Sequence, residues 1–174
     1  MRAGSMSLAP DPALPPIEPE RPADGPAVER LVLEAFGPGR YAKTAERLRE
    51  GAAPVTDLSF VAWEGGQAVG CVRLWPLQIG DRAGLLLGPF AVDPRFRSRG
   101  LGAALIARAC SAAAAAGWEL VLLVGDEPYY RPLGFAAAPA ARLVLPGPVD
   151  RRRVLVRALK EGADQGLEGP VLAA

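Results

Sequence analysis

A cluster of arginines and glycines occupies residues 97 to 102, in the order Arg97-Ser98-Arg99-Gly100-Leu101-Gly102. Guanidinium groups bind phosphate oxygens through paired, charge-assisted hydrogen bonds. Gly100 can adopt a left-handed turn, and the missing side chain at Gly102 allows a phosphate to approach the backbone. These residue types at this spacing predict a binding site for a phosphorylated cofactor.

A strand and a helix flank this cluster and must position it. The strand is the apolar run from Leu85 to Val92, which ends at Asp93-Pro94, a dipeptide that favours a turn. The helix is predicted over residues 103–116, where nearly every residue favours helix. The first N–H groups of a helix lack intrahelical partners and carry the positive end of its dipole, so an anion fits there. The cluster therefore lies at a helix N-terminus that suits a pyrophosphate.

The spacing of the glycines disfavours two common nucleotide sites. A Walker A loop needs a lysine directly after its last glycine, and no lysine stands in this segment. A dinucleotide loop needs a third glycine three residues after the second, and Leu105 occupies that position. Glu119 follows about twenty residues later, but it begins the next strand rather than ending it, which is the wrong place to meet a ribose. The cluster therefore predicts neither a nucleotide triphosphatase nor a Rossmann dehydrogenase.

The amino-acid composition of the chain excludes further classes of catalytic mechanism. The 174 residues include no histidine, so this chain offers no His-based catalytic dyad and no His-containing zinc site. Cys71 and Cys110 form no metal-binding motif, and we interpret both as small buried hydrophobic residues. A net charge of +1 provides no field that would attract nucleic acid or an anionic membrane. Without a long apolar segment or a signal-peptide pattern, the sequence predicts a cytoplasmic protein.

The remaining pattern predicts one domain of helices and strands. Residues 1–24 are rich in proline and predict a disordered tail, and residues 25–174 predict the domain. The apolar strand at 120–124 follows the glycine-started helix, so it is expected to run parallel to the preceding strand. The other predicted elements are helices over 26–35 and 41–50 and strands over 58–63, 68–75, 84–92, 142–145 and 154–159.

Two motifs in this order resemble the GCN5-related N-acetyltransferase (GNAT) superfamily. The cluster at 97–102 is similar to the family's motif A, Arg/Gln-x-x-Gly-x-Gly/Ala, and Tyr130 to Phe135 resembles its motif B, Tyr-x-x-x-Gly-Phe. The segments 87–92 and 124–130 also resemble the YhbS-like subgroup. The resemblance covers about residues 26–160. It implies an α+β fold of the three-layer α/β type, with helices on both faces of a mixed central sheet of about six to seven strands and a splayed pair of parallel central strands.

The resemblance implies an enzyme that uses acetyl-CoA. An acetyl group would pass to a primary amine by direct attack in a ternary complex, with acetyl-CoA between the splayed strands. Tyr130 matches the general acid, and a phenol's reference pKa near 10 lies above the thiol value of about 8.5, so the phenol can donate to the departing sulfur. The positions that match the family's cofactor-binding segment are Phe90, Ala91 and Val92 for the pantetheine and thioester, and Arg97, Ser98, Arg99, Gly100, Leu101, Gly102 and Ala103 for the pyrophosphate.

The general base is where the sequence departs from the family. Some members carry a glutamate on the strand that ends at motif A, but residues 84–92 contain no acid. Asp126, beside Glu127 at the end of the apolar strand, is the substitute we assign as base or proton relay, directly or through water. A cap on the next short helix is an equally good interpretation of Asp126. A water relay, or an amine that binds already neutral, also stays open.

The sequence does not identify the acceptor. Arg40 and Arg47 lie in the first helices without a decisive pattern, and no acidic cluster indicates a polyamine or an aminoglycoside. We interpret residues 151–153 as a solvated turn rather than a clamp for an acidic substrate, and Tyr129 as a packing residue. A small molecule or a peptide is expected to carry the amine, with no nucleic acid, membrane or metal involved and a homodimer left open. The alternative to an enzyme is a non-catalytic domain that binds CoA or acyl-CoA as a sensor or interaction module.

Overall fold

In the computed structural model, which describes residues 13–37 and 44–174, a mixed β-sheet forms the centre of the molecule. The helices of the described part are α1 (Gly25–Phe36), α2 (Thr44–Arg47), α3 (Leu101–Ala115) and α4 (Glu127–Tyr130). Its strands are β1 (Ile17–Pro19), β2 (Phe60–Glu64), β3 (Gln67–Ile79), β4 (Arg82–Val92), β5 (Leu120–Val124), β6 (Leu143–Val144), β7 (Val154–Ala158) and β8 (Gly169–Ala173).

The strands lie in the order β1-β2-β3-β4-β5-β7. β4 and β5 pair parallel, whereas the other neighbours along this path pair antiparallel. β8 pairs with the end of β3, and β6 pairs with β8. The predicted mixed sheet is confirmed, and it also contains two short strands, β1 and β8, that the sequence analysis does not predict.

The two long helices cover opposite faces of the sheet. Leu105 and Ile106 of α3 are fully buried against one face, and Val28 and Val32 of α1 are fully buried against the other. Gly70 of β3 allows α3 to lie close, because a β-carbon there would stand 2.7 Å from Leu105 Cδ1. Each such buried aliphatic side chain stabilises the fold by about 1.5–3 kcal/mol. The predicted helices on both faces are therefore confirmed.

The two parallel strands separate after a short stretch of pairing. Leu85 pairs with Val121 and Leu86 with Leu122, and these are the pairs that join β4 to β5 in the described residues. β4 nevertheless continues to Val92, while β5 stays paired with β7 on its other edge. The facing edges of β4 and β5 therefore diverge into a V-shaped opening, which confirms the predicted splayed pair.

β4 is irregular where it enters this opening. The register between β3 and β4 shifts between Val72 and Leu74. Gly88 lies opposite this shift with a φ of 140°, a conformation that favours glycine, and its peptide bond to Pro89 is cis. The indole N–H of Trp75 donates a hydrogen bond to the Gly88 carbonyl oxygen. The sheet thus holds the irregular backbone in place beside the opening.

The N-terminal segment departs from the sequence prediction. The predicted disordered tail is wrong for residues 13–24, since β1 lies there and pairs with β2. Arg73 of β3 is only 8% exposed, and its guanidinium donates to Glu20 at 2.6 Å and to Glu29 at 2.8 Å. A buried guanidinium requires charged partners, so Arg73 ties this segment to the sheet. Residues 1–12 of the predicted tail lie outside the described residues.

The second helix is shorter than predicted. The sequence predicts helix over 41–50, whereas α2 ends at Arg47 and a turn follows; residues 41–43 lie outside the described ranges. The side chains of Thr44 and Arg47 donate to the carbonyl oxygens of Pro148 and Pro146, which joins α2 to the loop before β7. Within residues 13–37 and 44–174, no helix is long and apolar enough to cross a membrane.

Candidate active site

A cavity of about 1050 Å³ lies between the separated ends of β4 and β5. We divide its lining into three parts. The fork consists of residues 87–92 and 123–126 together with Tyr129 and Tyr130. The loop end consists of Phe96, Arg97, Ser98, Gly100, Gly102 and Ala103. The far end consists of lining residues from α1, from the segment around α2 and from the loop before β7, including Arg47, Arg49 and Arg153.

The loop end is built by one continuous segment between β4 and α3. The Asp93 carboxylate accepts a hydrogen bond from the Arg95 backbone N–H at 2.9 Å, which starts a short 3-10 helix directly after the strand. Ser98 has a φ of 61° and Gly100 a φ of 87°, both left-handed, and α3 begins at the next residue after Gly100. This turn brings the first residues of α3, whose N–H groups have no intrahelical acceptor, to the cavity wall.

Gly102 is the tightest point of the loop end. A β-carbon at this position would stand 2.6 Å from the Tyr129 hydroxyl oxygen and 3.0 Å from Phe90 Cζ. The glycine therefore allows the fork and the start of α3 to pack against each other, and a larger residue would push them apart. Gly102 and Ala103 both line the cavity, so a phosphate in it can meet the backbone N–H groups at the start of α3.

Most of the predicted cofactor-binding residues line one continuous surface. The structure brings Phe90, Ala91, Val92, Arg97, Ser98, Gly100, Gly102 and Ala103 to the cavity. Arg99 is not a lining residue, and its guanidinium lies 4.9 Å from the centre of the Phe96 ring. Leu101 is fully buried in the hydrophobic core. The positive side chain at the loop end is thus Arg97, whose Nε donates to the Val92 carbonyl oxygen at 3.2 Å.

The backbone of β4 is exposed to the cavity along one edge. Pairing with β5 stops at Leu86, so within the described residues the β5-facing backbone groups from Leu87 onward have no strand partner. The opposite edge stays paired with β3, up to Val92 opposite Gly70. One side of β4 therefore offers main-chain hydrogen-bonding groups to a ligand while the other side holds the strand in position.

Tyr130 lies where the fork meets α4. Its ring packs directly on Gly125, where a β-carbon would stand 2.4 Å from Tyr130 Cε2. The rings of Tyr129, Phe135 and Phe90 surround it, with centroids 4.8, 6.1 and 6.3 Å away. Burial, with smaller effects from Tyr129 and Asp126, raises the pKa of Tyr130 to about 12. The phenol stays protonated at neutral pH, so it is a hydrogen-bond donor rather than a base.

Tyr129 is a cavity residue that the sequence analysis interpreted as packing. Its ring is half exposed, its side chain lines the fork, and its hydroxyl is the group that lies beside Gly102. Burial raises its pKa above the usual value. The pair of adjacent tyrosines thus divides between two places, with Tyr130 inside the fork and Tyr129 toward the loop end.

The acidic residues considered as the base lie at the cavity mouth or outside it. Asp126 is exposed, and its Oδ1 accepts a hydrogen bond from Arg153 Nε at 3.1 Å. It makes no side-chain cap on α4, so the structure gives no support to the capping interpretation. Glu127 is absent from the cavity lining and accepts a hydrogen bond from the Ala137 N–H at 3.2 Å, which holds its pKa low. Glu127 therefore fixes the following loop.

The far end is rich in arginine. Arg49 binds Glu46 at 2.7 Å and is nearly buried, while Arg47 donates to the Pro146 carbonyl oxygen at 2.9 Å. Arg153 donates its Nε–H to the Asp126 carboxylate. Asp150, the other carboxylate among the described lining residues, accepts hydrogen bonds from Arg152, which lower its pKa.

The three consecutive arginines at 151–153 have separate roles. Arg151 donates to the carbonyl oxygens of Leu143, Ala140 and Ala141 and so shapes the loop. Arg152 is exposed and pairs with Asp150, as expected for a solvated turn. Arg153 instead lines the cavity. The interpretation of residues 151–153 as a solvated turn is therefore wrong for Arg153, and Arg49 was not predicted as a cavity residue. No local signal identifies either arginine, because they reach the cavity from segments about a hundred residues apart. Arg40, which the sequence analysis considered, lies outside the described residues.

Comparison with known proteins gives consistent matches. Residues 56–137 match the family described as acetyltransferase (GNAT) domain. YhbS of Escherichia coli K12, an uncharacterized N-acetyltransferase, is 28% identical over 158 residues, which make up 89% of this chain and 93% of the relative. The crystal structure of E. coli YhbS in complex with CoA has a TM-score of 0.79 and covers 96% of this chain and 94% of its own. A GNAT acetyltransferase from Brucella melitensis in complex with acetyl-CoA has a TM-score of 0.66 at 28% identity, with 91% and 94% covered.

Proposed function

Because this chain belongs to the GCN5-related N-acetyltransferase superfamily, we propose that it transfers an acetyl group from acetyl-CoA to the primary amine of a small molecule or peptide. The observation that carries the proposal is the fork. β4 and β5 part at Leu86 and Leu122, a helix N-terminus faces one end of the opening, and Tyr130 lies where the strands diverge. One cavity thus offers a place for pyrophosphate, a main-chain edge for the pantetheine arm and a proton donor for the sulfur.

The loop end fits the pyrophosphate of the cosubstrate. Gly102 and Ala103 line this end of the cavity, and the N–H groups at the start of α3 favour an anion there. Arg97 adds a fixed positive charge, and the Ser98 hydroxyl is available as a further donor. We propose that these groups bind the pyrophosphate and that the open edge of Phe90, Ala91 and Val92 binds the pantetheine arm.

The fork fits direct transfer. In the proposed step, the amine nitrogen attacks the thioester carbonyl carbon, a C–N bond forms, the C–S bond breaks and the sulfur leaves as a thiolate. Main-chain N–H groups on the open edge of β4 stabilise the negative charge that develops on the carbonyl oxygen. Tyr130, protonated because burial raises its pKa to about 12, donates its proton to the departing sulfur. The proton that the nitrogen loses passes to water, with Asp126 as the relay we propose, and a proton from water restores the phenol.

Thiol release with a panel of amines tests the proposal. We expect the protein to bind acetyl-CoA and to release free thiol only when a suitable amine is present, with one acetylated amine formed for each thiol. Tyr130→Phe is expected to retain acetyl-CoA binding and to lose most of the amine-dependent thiol release. Binding without turnover on every amine would contradict a transferase and favour a domain that only binds CoA or acyl-CoA.

A further inference from the structure

The far end of the cavity has the chemistry of an anion site, and we infer that the acceptor amine also carries an anionic group, a carboxylate or a phosphate, which Arg49 and Arg153 bind. The inference rests on the proposed function, because it names the class of amine that this cavity takes. Two observations support it: both guanidinium groups line the cavity, and both have N–H donors without an acceptor among the described residues.

Arg49 lines the cavity and has one guanidinium nitrogen, Nη1, that makes no hydrogen bond to the described residues. Its Nε and Nη2 donate to Glu46 at 3.2 and 2.7 Å, which fixes the plane of the guanidinium. Its Nη1 has no hydrogen-bond acceptor among the described residues, although only 10% of the side chain is exposed. A nearly buried guanidinium that is already oriented loses little conformational entropy when it binds a ligand.

Gly88 makes room for this guanidinium next to the fork. A β-carbon at Gly88 would stand 3.1 Å from Arg49 Nη1, and the φ of 140° there favours glycine. The Trp75 indole holds the Gly88 carbonyl oxygen, so the backbone beneath Arg49 is fixed. Arg49 therefore lies beside the stretch of β4 where the reacting carbonyl is proposed to bind.

Arg153 approaches the same end of the cavity from the loop before β7. Its Nε is occupied by Asp126 at 3.1 Å, and both terminal nitrogens lack an acceptor among the described residues. About half of the side chain is exposed, so a ligand in the cavity can reach these nitrogens. Terminal guanidinium nitrogens bind carboxylate and phosphate oxygens with favourable geometry.

The charges around the far end favour an anion over a cation. Within the described residues the guanidinium groups are those of Arg47, Arg49, Arg152 and Arg153, and the carboxylates are those of Glu46, Asp126 and Asp150. Each of these carboxylates already accepts hydrogen bonds from an arginine. An anionic group can bind the remaining donors, whereas a polyamine would meet repulsion.

Binding of inorganic phosphate to CoA-saturated protein tests the anion site independently of turnover. Saturation with CoA occupies the loop end, so phosphate reports on the far end. We expect saturable binding by calorimetry, at least tenfold weaker in Arg49→Gln and in Arg153→Gln and unchanged in Arg142→Gln, an exposed arginine outside the cavity. Arg153→Gln keeps the test valid if Arg49→Gln fails to fold, because Arg153 is half exposed. No binding, an adventitious ion only, or equal binding in all variants would overturn the inference.

Steady-state kinetics with pairs of anionic and neutral amines tests the inferred anion site in the reaction itself. The pairs are γ-aminobutyrate against γ-aminobutyramide, and phosphoethanolamine against ethanolamine, with spermidine as the cationic probe. We expect the anionic member of at least one pair to have a kcat/KM at least tenfold above its neutral partner, with this preference lost in Arg153→Gln. The pair that responds distinguishes a carboxylate from a phosphate. A higher kcat/KM for neutral amines or for spermidine would contradict the anion site but not the proposed transferase activity. The absence of amine-dependent turnover would contradict the proposed function, and the phosphate measurement would then decide whether the anion site exists.

Discussion

The two ends of the cavity are built in different ways. The loop end comes from a single segment, residues 96–103, and it offers mainly backbone groups of a turn and a helix start. The far end combines α1, the segment around α2 and the loop before β7, and it offers side chains. Side chains of α2 joined to carbonyl oxygens about a hundred residues away hold the far end together. A local motif therefore specifies the proposed donor site, while the proposed acceptor site depends on the tertiary fold.

This difference predicts that the two ends can be changed separately. Substitutions at the loop end should change the affinity for acetyl-CoA, and substitutions at the far end should change the use of the amine. Tyr130 lies between them, so its substitution should change the chemical step and neither binding event.

The largest effect is expected from Tyr130→Phe. Removal of the phenol hydroxyl is expected to lower kcat by about 100-fold or more, the usual range for loss of a general acid. The ring stays in place on Gly125, so the dissociation constant for acetyl-CoA should change little. Steady-state thiol release together with calorimetry measures both quantities. Tyr129→Phe is the matched control because it removes the neighbouring hydroxyl; an equal loss of kcat there would contradict the assignment of Tyr130.

Gly102→Val should weaken the binding of acetyl-CoA. The added side chain would collide with the Tyr129 hydroxyl and with Phe90, and it would disturb the contact between the fork and the start of α3, beside the proposed pyrophosphate site. We expect acetyl-CoA to bind about 100-fold more weakly, or about 2.7 kcal/mol. Calorimetry measures the affinity, and a thermal melt checks the fold. Ala107→Val, on the exposed side of α3, places the same side chain in the same helix and should bind normally; unchanged affinity in Gly102→Val would remove the loop end from the proposed site.

Gly88→Ala, in the fork beside Arg49, should affect the far end more than the loop end. The new methyl group would press on Arg49 Nη1, and the positive φ would strain the backbone. We expect kcat/KM for the amine to fall about tenfold, or about 1.4 kcal/mol, with acetyl-CoA affinity within about twofold of wild type. Gly117→Ala is the control, because that glycine also has a positive φ but has open space around it. A fall in acetyl-CoA affinity without a change in amine use would contradict the division into two ends.

The smallest effect concerns pH. Burial raises the pKa of Tyr130 to about 12, so the phenol remains protonated through the alkaline range in which an ordinary tyrosine ionises. The kcat should therefore show no loss from Tyr130 between about pH 9 and 10.5. A falling limb with an apparent pKa near 10 that disappears in Tyr130→Phe would show that the phenol is not buried in this way.

The contrast between the two ends also explains what the sequence could predict. Gly100, Gly102 and Tyr130 lie in short motifs, so they could be predicted from the strand–turn–helix pattern and from the resemblance to the family's motifs. Arg49 and Arg153 could not be identified as cavity residues, because their place in one lining depends on the packing of distant segments. β1 was missed for a similar reason, since its order comes from pairing with β2 and from the buried Arg73 rather than from an apolar period of its own. The Arg99 guanidinium lies over the ring of Phe96, only three residues earlier, and this local contact is not specified by the motif.

The fork is proposed to transfer the acetyl group of acetyl-CoA to an amine. The most direct test is mass spectrometry of the amine pool after incubation of wild-type protein with isotopically labelled acetyl-CoA. We predict that the labelled acetyl group appears on an amine in equal amount to the free CoA released. Labelled acetyl-CoA that binds the protein yet is recovered intact with every amine would contradict the claim.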